Sequence, residues 1–506
     1  MMFAVAMTFI DQTIVAIAAP EVQSELSLTA GGVTWMINAY ILALAAGFAL
    51  GGRIADVFGS RLVVLVGIVG FAVSSGLCGA TPANSFAETW MIVFRVTQGL
   101  SAALMIPAAL AVVVAAFPVG ERGKALAIFF GVSGGLTAVG PIAGGYLTLW
   151  TWRSIFWINL PIAVIALVLT VAAGIHSTAR REPIDWRGAA LVAAGMALSV
   201  LGFEQARSWG WGSPWTWACI VGGLLVLVVF VLVERKMEHP LIKVRIFRGR
   251  AFAVDNGVLF FSMVAFIPIF FFASVYAQVA LGYDANTAGL YLLMIFAGFA
   301  PAAQFGGRIL DTRGARPALI LGSAMSAVGF VLWGMRATEL SLGDQWWCIV
   351  LAGAGLGLLV GPASTDATNR AIDASYGEVT GITQTVRNYG SALGLAVLGT
   401  LLGNVFTNRF TDSLIAAGVP SDQAAAIAAN AANSTGGSGG GSDAAAGAPP
   451  SMVAQITESV QHDFALAVQA VLYGMAVALA ISFVIALLHP GDRVVDTSGA
   501  TVKAGQ

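Results

Sequence analysis

The chain has 506 residues, 58% of them hydrophobic and only 10% charged, against roughly a quarter charged in an ordinary soluble domain. That composition excludes a soluble globular protein. With 25 lysines and arginines against 26 acids the formal charge is -1, so no basic surplus exists to track a phosphate backbone, and nucleic acid is excluded as a partner.

About 20 apolar residues at 1.5 Å each cross the roughly 30 Å hydrocarbon layer. Runs of that length between polar breaks predict fourteen spans, near 1 to 22, 33 to 54, 62 to 81, 89 to 116, 125 to 149, 155 to 174, 188 to 205, 215 to 234, 251 to 279, 288 to 310, 317 to 336, 346 to 367, 382 to 406 and 464 to 488. The first carries a central Asp11 and no basic segment before it, so it is read as a retained helix and not a cleaved signal. Glu204 and Asp366 stand at the ends of spans 7 and 12, inside or outside the apolar layer. Between spans 13 and 14 the stretch 407 to 463 holds an Ala-rich segment, 423 to 432, and a Gly/Ser tract from Ser434 to Pro450 that reads as flexible linker. The 60 glycines suit helices that approach closely in lipid. Cys78, Cys219 and Cys348 each sit alone in an apolar run, which gives no disulfide framework or metal cluster to read.

Cytoplasmic loops carry the excess of arginine and lysine. Starting the chain inside places on that side Arg53 and Arg61, Arg122 and Lys124, Arg180, Arg181 and Arg187, six residues from Arg235 to Arg250, Arg308, Arg313 and Arg316, Arg370, Arg493 and Lys503. These are 19, against the four of Arg153, Arg207, Arg336 and Arg409 outside. Both termini are therefore expected on the cytoplasmic side of the cell membrane. Arg95 and Arg387 fall within spans 4 and 13, and intramembrane charges are functional candidates.

Two predicted cytoplasmic turns repeat one pattern. Gly52-Arg-Ile-Ala-Asp56-Val-Phe-Gly59-Ser-Arg61 follows span 2, and Gly307-Arg-Ile-Leu-Asp311-Thr-Arg-Gly314-Ala-Arg316 follows span 10. The recurrence is the trace of a transporter built from two homologous halves, with its substrate site at their interface. In such a turn glycine lets helices meet, aspartate can face a helix N-terminus, and the last arginine supplies a neutralising partner. Two ordinary basic turns would read the same way.

On these residues the chain resembles the major facilitator superfamily, in its fourteen-helix drug:proton antiporter branch, over nearly its whole length. The first turn is similar to the family's signature loop, with Val57 and Ser60 where basic residues are usual and Asp56 and Arg61 retained. Ile10-Asp11-Gln-Thr13-Ile-Val-Ala16-Ile-Ala-Ala-Pro20 resembles the branch's first-helix motif, with Ala16 in place of asparagine. Arg95-Val-Thr-Gln98-Gly99 resembles the intramembrane arginine motif. Gly135 followed by Gly140-Pro141-Ile-Ala-Gly144-Gly145 is similar to the Gly-Pro signature of antiporters. The segments 239 to 247 and 377 to 394 look like the branch's linker and thirteenth span.

The resemblance implies an all-α polytopic membrane protein with two six-helix bundles, residues 1–174 and 251–488, the second carrying the external loop 407–463. Residues 175–250 would hold two inserted helices and the linker, and 489–506 a cytoplasmic tail. The bundles would rock about a central cavity, exporting small amphipathic compounds in exchange for protons. No phosphate-binding Gly-x-x-x-x-Gly-Lys-Ser/Thr loop occurs in the sequence, so the energy is expected from a proton gradient, with no cofactor, no metal and no enzymatic step. No obligate protein partner is readable. A cargo of physiological lipid or natural product fits the same pattern, and a nutrient symporter fits less well because the middles of the spans are apolar.

His176, His239, His462 and His489 fall in loops or span ends, so carboxylates are the proton candidates. Asp11 lies halfway along its span, where a fixed charge costs at least about 2.5 to 3.5 kcal/mol; a helix-packing aspartate is the plainer reading. Arg95 has no partner in its own helix and needs a carboxylate or carbonyls from a neighbour, whether its role is in proton release or in locking helices. Asp255 is the second-half candidate for cation or proton, or else it snorkels to the interface. Arg387 is expected to anchor the cytoplasmic end of its span. Gln98, Phe270, Tyr276 and Gln278 are candidates to line the cavity, the aromatic rings offering faces to planar cations; phenylalanines facing lipid explain span 9 equally. Trp35, Trp209, Trp211, Trp215, Trp217, Trp346 and Trp347 sit at span ends and read as interface anchors.

Overall fold

A computed structural model describes residues 1–116, 139–173, 183–238, 240–370, 376–434 and 450–491. Arg122, Lys124, Gly135 and the rest of span 5 before residue 139, His176, Arg180, Arg181, His239, most of the Gly/Ser tract and the tail from 492 lie outside the described residues. What is described is helix joined by short turns, with no strand among the described residues.

Seventeen α-helices are described. In the first part these are α1 (Met2–Leu26), α2 (Ala30–Phe58), α3 (Ser60–Gly79), α4 (Ala87–Ala116), α5 (Val139–Thr148), α6 (Ser154–Trp157) and α7 (Asn159–Ala172). Then come α8 (Trp186–Trp209) and α9 (Pro214–Glu234). The remainder comprises α10 (Arg250–Phe266), α11 (Pro268–Val279), α12 (Ala285–Arg313), α13 (Ala315–Arg336), α14 (Leu342–Asn369), α15 (Tyr376–Ala416), α16 (Ser421–Ser434) and α17 (Pro450–Leu487).

Thirteen stretches among the described residues are long and apolar enough to cross a membrane, and they coincide with thirteen of the fourteen expected runs. The fifth run is described only from residue 139, as α5. Span 9 is one run in sequence but two helices in the structure, because Pro268 lacks the N–H that would continue α10. Of its phenylalanines, Phe266, Phe270, Phe271 and Phe272 are buried, Phe266 stacking on Phe299 and Phe270 on Phe296 of α12, while Phe260 and Phe261 are partly exposed.

The repeat legible in sequence is also present in the packing. In the first part α4 lies against α2 and α3; in the last, α14 lies against α12 and α13. Each signature turn is a single-residue link, Gly59 between α2 and α3 and Gly314 between α12 and α13, with φ of 90° and 82°. A side chain is strained at such φ, which is why glycine recurs at this position of both turns. Where helices cross, glycines admit backbone: a Cβ on Gly353 would strike the Ile295 carbonyl, and one on Gly99 the Tyr40 carbonyl.

At α12 the first turn is closed by Asp284, whose carboxylate accepts from Thr287 N–H at 2.9 Å. Hydrogen bonding to Thr287 holds this carboxyl below the ordinary aspartate value. Helices α8 and α9 pair with each other, and α8 also lies on α2 and α15. Ser199 and Tyr389 hydroxyls meet at 2.8 Å, and Thr400 donates to the Phe203 carbonyl at 2.8 Å. Helix α16 buries Ala424, Ala428 and Ala431 while packing on α15.

Candidate functional site

Asp11 of α1 and Arg95 of α4 meet in the interior of the first set of helices. Arg95 Nη1 lies 2.6 Å from Asp11 Oδ2, with the side chains 1% and 0% exposed. A buried guanidinium costs heavily unless charge and hydrogen bonds both compensate it, and here they do. Arg95 Nε donates to the Met36 carbonyl of α2 at 2.8 Å, and Nη1 also donates to Gln98 Oε1 at 2.7 Å. The guanidinium lies over the Tyr40 ring, 4.4 Å from its centroid.

The other carboxylate oxygen is held as well. Gln98 Nε2 donates to Asp11 Oδ1 at 2.9 Å, and Asn159 Nδ2 of α7 approaches the same oxygen at 3.4 Å while donating to Ser75 Oγ at 2.9 Å. Four helices thus converge on one charge pair. Gln98, a cavity candidate in sequence, is here the bridge between acid and base. Sequence reasoning missed Met36, Tyr40, Asn159 and Ser75; Asn159 alone carried a signal, as an amide just inside an otherwise apolar run.

A second charged cluster gathers where α10, α14 and the end of α17 meet. Asp255, Asp366 and His489 offer ligand atoms within 4.8 Å of one another, all three buried. His489 Nε2 is 3.2 Å from Asp366 Oδ2 and 3.5 Å from Asp255 Oδ1, and Arg370 Nε is 2.6 Å from Asp366 Oδ2. Gly491 N–H donates to His489 Nδ1 at 3.1 Å, so Nε2 carries the ring proton and presents it to the carboxylates. That geometry does not suit a metal ion, which would need the lone pair that Nε2 lacks in this tautomer. Asp255 therefore faces inward, not toward the interface, and His489, a span-end residue in sequence, is 1% exposed.

The remaining candidates are distributed along the helices. Asp56 and Asp311 are exposed at matching places in the two signature turns, Gly52 and Gly307 at their starts. In α5 a Cβ on Gly140 would strike Thr13 and one on Gly144 would meet Ile14, both on α1, while one on Gly145 would meet the backbone of Ala285 and Asn286 on the other half's α12. Pro141 lies between them in the helix. Gln278 Nε2 reaches the Ile17 carbonyl at 3.4 Å, so α11 and α12 touch α1 and α5 at this end of the molecule, opposite the signature turns. Tyr276 packs inside the second set of helices, donating to the Ala337 carbonyl at 2.6 Å and accepting from Gln345 Nε2 at 2.8 Å. Arg387 Nη1 donates to Gln384 Oε1 at 2.9 Å.

Comparison with known proteins agrees with this architecture. The chain is 33% identical over 437 residues to the tetracenomycin C resistance and export protein of Streptomyces glaucescens, covering 83% of this chain and 79% of that one. It is 33% identical over 399 residues, 78% of each chain, to a puromycin resistance protein of Streptomyces alboniger. With a cephamycin export protein of Amycolatopsis lactamdurans it shares 33% identity over 414 residues, 78% of this chain and 82% of the relative. Its fold matches the crystal structure of a bacterial homologue of the human lysosomal transporter Spinster, inward-facing and unoccupied, with a TM-score of 0.60 at 17% identity over 97% of this chain and 96% of that one. A D-xylose–proton symporter superposes with a TM-score of 0.57 at 14% identity, over 86% and 98%. The family model of the Major Facilitator Superfamily matches residues 1–395, and with thirteen apolar helices and the repeated signature turn the chain belongs to that superfamily of membrane transporters.

Proposed function

We propose that the chain is a proton-coupled exporter of amphipathic, often cationic compounds, working by alternating access in the cell membrane with both termini cytoplasmic. Residues 1–174 and 251–488 form the two moving bundles, and 175–250 the inserted helices and linker; the external stretch 407–463, expected as a loop, carries the end of α15, α16 and the start of α17, and the cytoplasmic tail 489–506 begins with the buried His489. The observation that carries this reading is the buried Asp11–Arg95 pair. A charge pair that deep is retained at a cost in stability. An exchange reaction gives it a use.

When a proton neutralises Asp11, or a substrate cation takes its place beside the carboxylate, Arg95 loses one partner and keeps three: the Met36 carbonyl, Gln98 Oε1 and the Tyr40 face. The guanidinium can therefore release Asp11 without being stranded. Gln98 and Asn159 hold the carboxylate in the same place in either state. Asp255, with Asp366 and His489, is the corresponding proton candidate of the second bundle. Gly145 against Ala285 and Gln278 against Ile17 close the end opposite the signature turns; by the arginine asymmetry that end is external.

The names of the relatives support export as the direction and antibiotics as the cargo class. They also favour a second reading, a natural product as the physiological substrate. Inside-out vesicles separate these: lipophilic cations should accumulate when a pH gradient is imposed, and Asp11→Asn should abolish that uptake. Uptake indifferent to the gradient, or restricted to neutral natural products, would overturn proton-coupled cation export.

A further inference from the structure

The inserted pair of helices ends, on the side of the signature turns, in two carboxylates that the reaction above does not use. Asp185 caps α8, its Oδ1 accepting from Gly188 N–H at 2.9 Å. Glu234 is the last residue of α9, and its Oε2 accepts from Ile242 N–H at 2.9 Å. The two residues are 6% and 3% exposed. Their other oxygens, Asp185 Oδ2 and Glu234 Oε1, are buried and have no hydrogen-bond partner among the described residues. These two atoms are neighbours, because a Cβ placed on Gly188 would strike both.

Two ionised carboxylates so arranged repel each other at short range, and each bare oxygen has given up water for nothing. One proton removes both penalties. The protonated group donates its O–H to the other oxygen, a charge-assisted hydrogen bond, and the carboxylate that stays ionised also keeps its own backbone N–H donor. A calcium or magnesium ion would need about six oxygens, whereas two face this spot and the other two are committed to backbone. The charged groups nearby, Arg187 on α8 and Arg235, Lys236, Glu238 and Lys243 on the segment leaving α9, are all exposed, whereas the two carboxylates are buried. Arg53, from the signature turn after α2, reaches the Pro183 carbonyl through Nε and Nη2, each at 3.3 Å.

We propose that Asp185 and Glu234 form a proton-binding site, one proton shared between Asp185 Oδ2 and Glu234 Oε1, separate from Asp11 and outside both bundles. Its placement ties it to the first signature turn. Arg53 holds the carbonyl of Pro183, two residues before Asp185, so loss of the proton and the ensuing repulsion loosen the segment that anchors the first signature turn.

Infrared difference spectroscopy on the full-length protein in phosphatidylcholine vesicles, titrated in H₂O and D₂O, tests the site. The wild type should show the carbonyl stretch of one protonated carboxylic acid, shifted by D₂O and lost at high pH, that Asp185→Asn and Glu234→Gln each remove and Asp11→Asn leaves in place. Glu234→Asp, which keeps an acid at the position, should retain it, and covers the case in which an amide variant fails to fold. A spectrum in which both amide variants keep every acid band of the wild type overturns the proposal. So does a band abolished by calcium or magnesium at fixed pH, which would make the pair a cation site.

Discussion

Arg61 and Arg316 do the same thing in the two halves of the molecule. Each is the last residue of its signature turn, and each donates from Nη2 to a carbonyl in the final turns of the helix that closes its half: Val171 at the end of α7 at 3.4 Å, and Leu487 at the end of α17 at 3.3 Å. The last carbonyls of a helix have no intrahelical donor and carry partial negative charge, so a cation there is worth roughly 0.3 to 1 kcal/mol. Each arginine thereby fastens the start of the helix after the turn, α3 or α13, to the last helix of its half. Arg61→Gln and Arg316→Gln should each lower stability by about that much, read by thermal unfolding in detergent, while Lys at either place recovers part of the loss. A loss confined to one half would break the symmetry of the two turns.

The Asp11–Arg95 pair predicts a strongly non-additive cycle. Removing one partner leaves a buried charge, typically a loss of 3 to 5 kcal/mol on the order seen for buried pairs. Arg95→Gln alone, which leaves the Asp11 carboxylate without its cation, should destabilise the protein by about that amount; Asp11→Asn should cost less, because Met36, Gln98 and Tyr40 still hold the guanidinium, and the double variant should cost clearly less than the sum, because nothing charged is then left unpaired. Additive losses would mean that the pair does not hold in the membrane.

Much of this was open to view in the sequence because lipid imposes long apolar runs and glycine marks φ. The thirteen described spans, the halves and the turns at Gly59 and Gly314 follow from those two constraints. The partner of Arg95 did not, since Asp11 is 84 residues away and helix rotation decides which residues face each other. The same is true of His489, whose place beside Asp255 and Asp366 depends on how α17 ends against α10 and α14. The pairing of Asp185 with Glu234 was not legible either, because nothing in their spacing records that α8 and α9 bring them together.

Glycine at helix crossings gives a test with an internal control. A Cβ on Gly353 would overlap the Ile295 carbonyl, while Gly361, two turns on in the same helix, has open space around it. Overpacking of this kind costs typically 1 to 3 kcal/mol or about that. Gly353→Ala should therefore be destabilised measurably and Gly361→Ala should not. Equal behaviour would mean that α12 and α14 do not approach as described.

Gly145 bears on the conformational equilibrium, because its contact with Ala285 and Asn286 joins α5 of the first half to α12 of the second. Gly145→Val cannot make that approach and should disfavour closure at this end. The readout is thiol labelling of Ile17→Cys, a residue now 0% exposed, which should be faster when combined with Gly145→Val. An unchanged rate would place the closing contact elsewhere.

The last prediction concerns what can drive transport if proton and cation alternate at Asp11. Moving one charge through 100 mV is worth about 2.3 kcal/mol, and each 1.4 kcal/mol is a tenfold gradient, so an exporter that carries net charge would reach roughly a fortyfold accumulation from that voltage alone. With one carboxylate serving both ions, a monovalent cation leaves as one proton enters and no net charge crosses. Arg95 does not alter this count, since its charge stays on the protein in every state. Voltage imposed by a potassium diffusion potential at equal pH should then drive no uptake of a monovalent cation into inside-out vesicles, whereas a pH gradient at zero voltage should. A divalent substrate exchanged for one proton would respond to both. Voltage-driven accumulation of a monovalent cation would require a second proton per cycle, and the cluster of Asp255, Asp366 and His489 is then the next place to remove a charge.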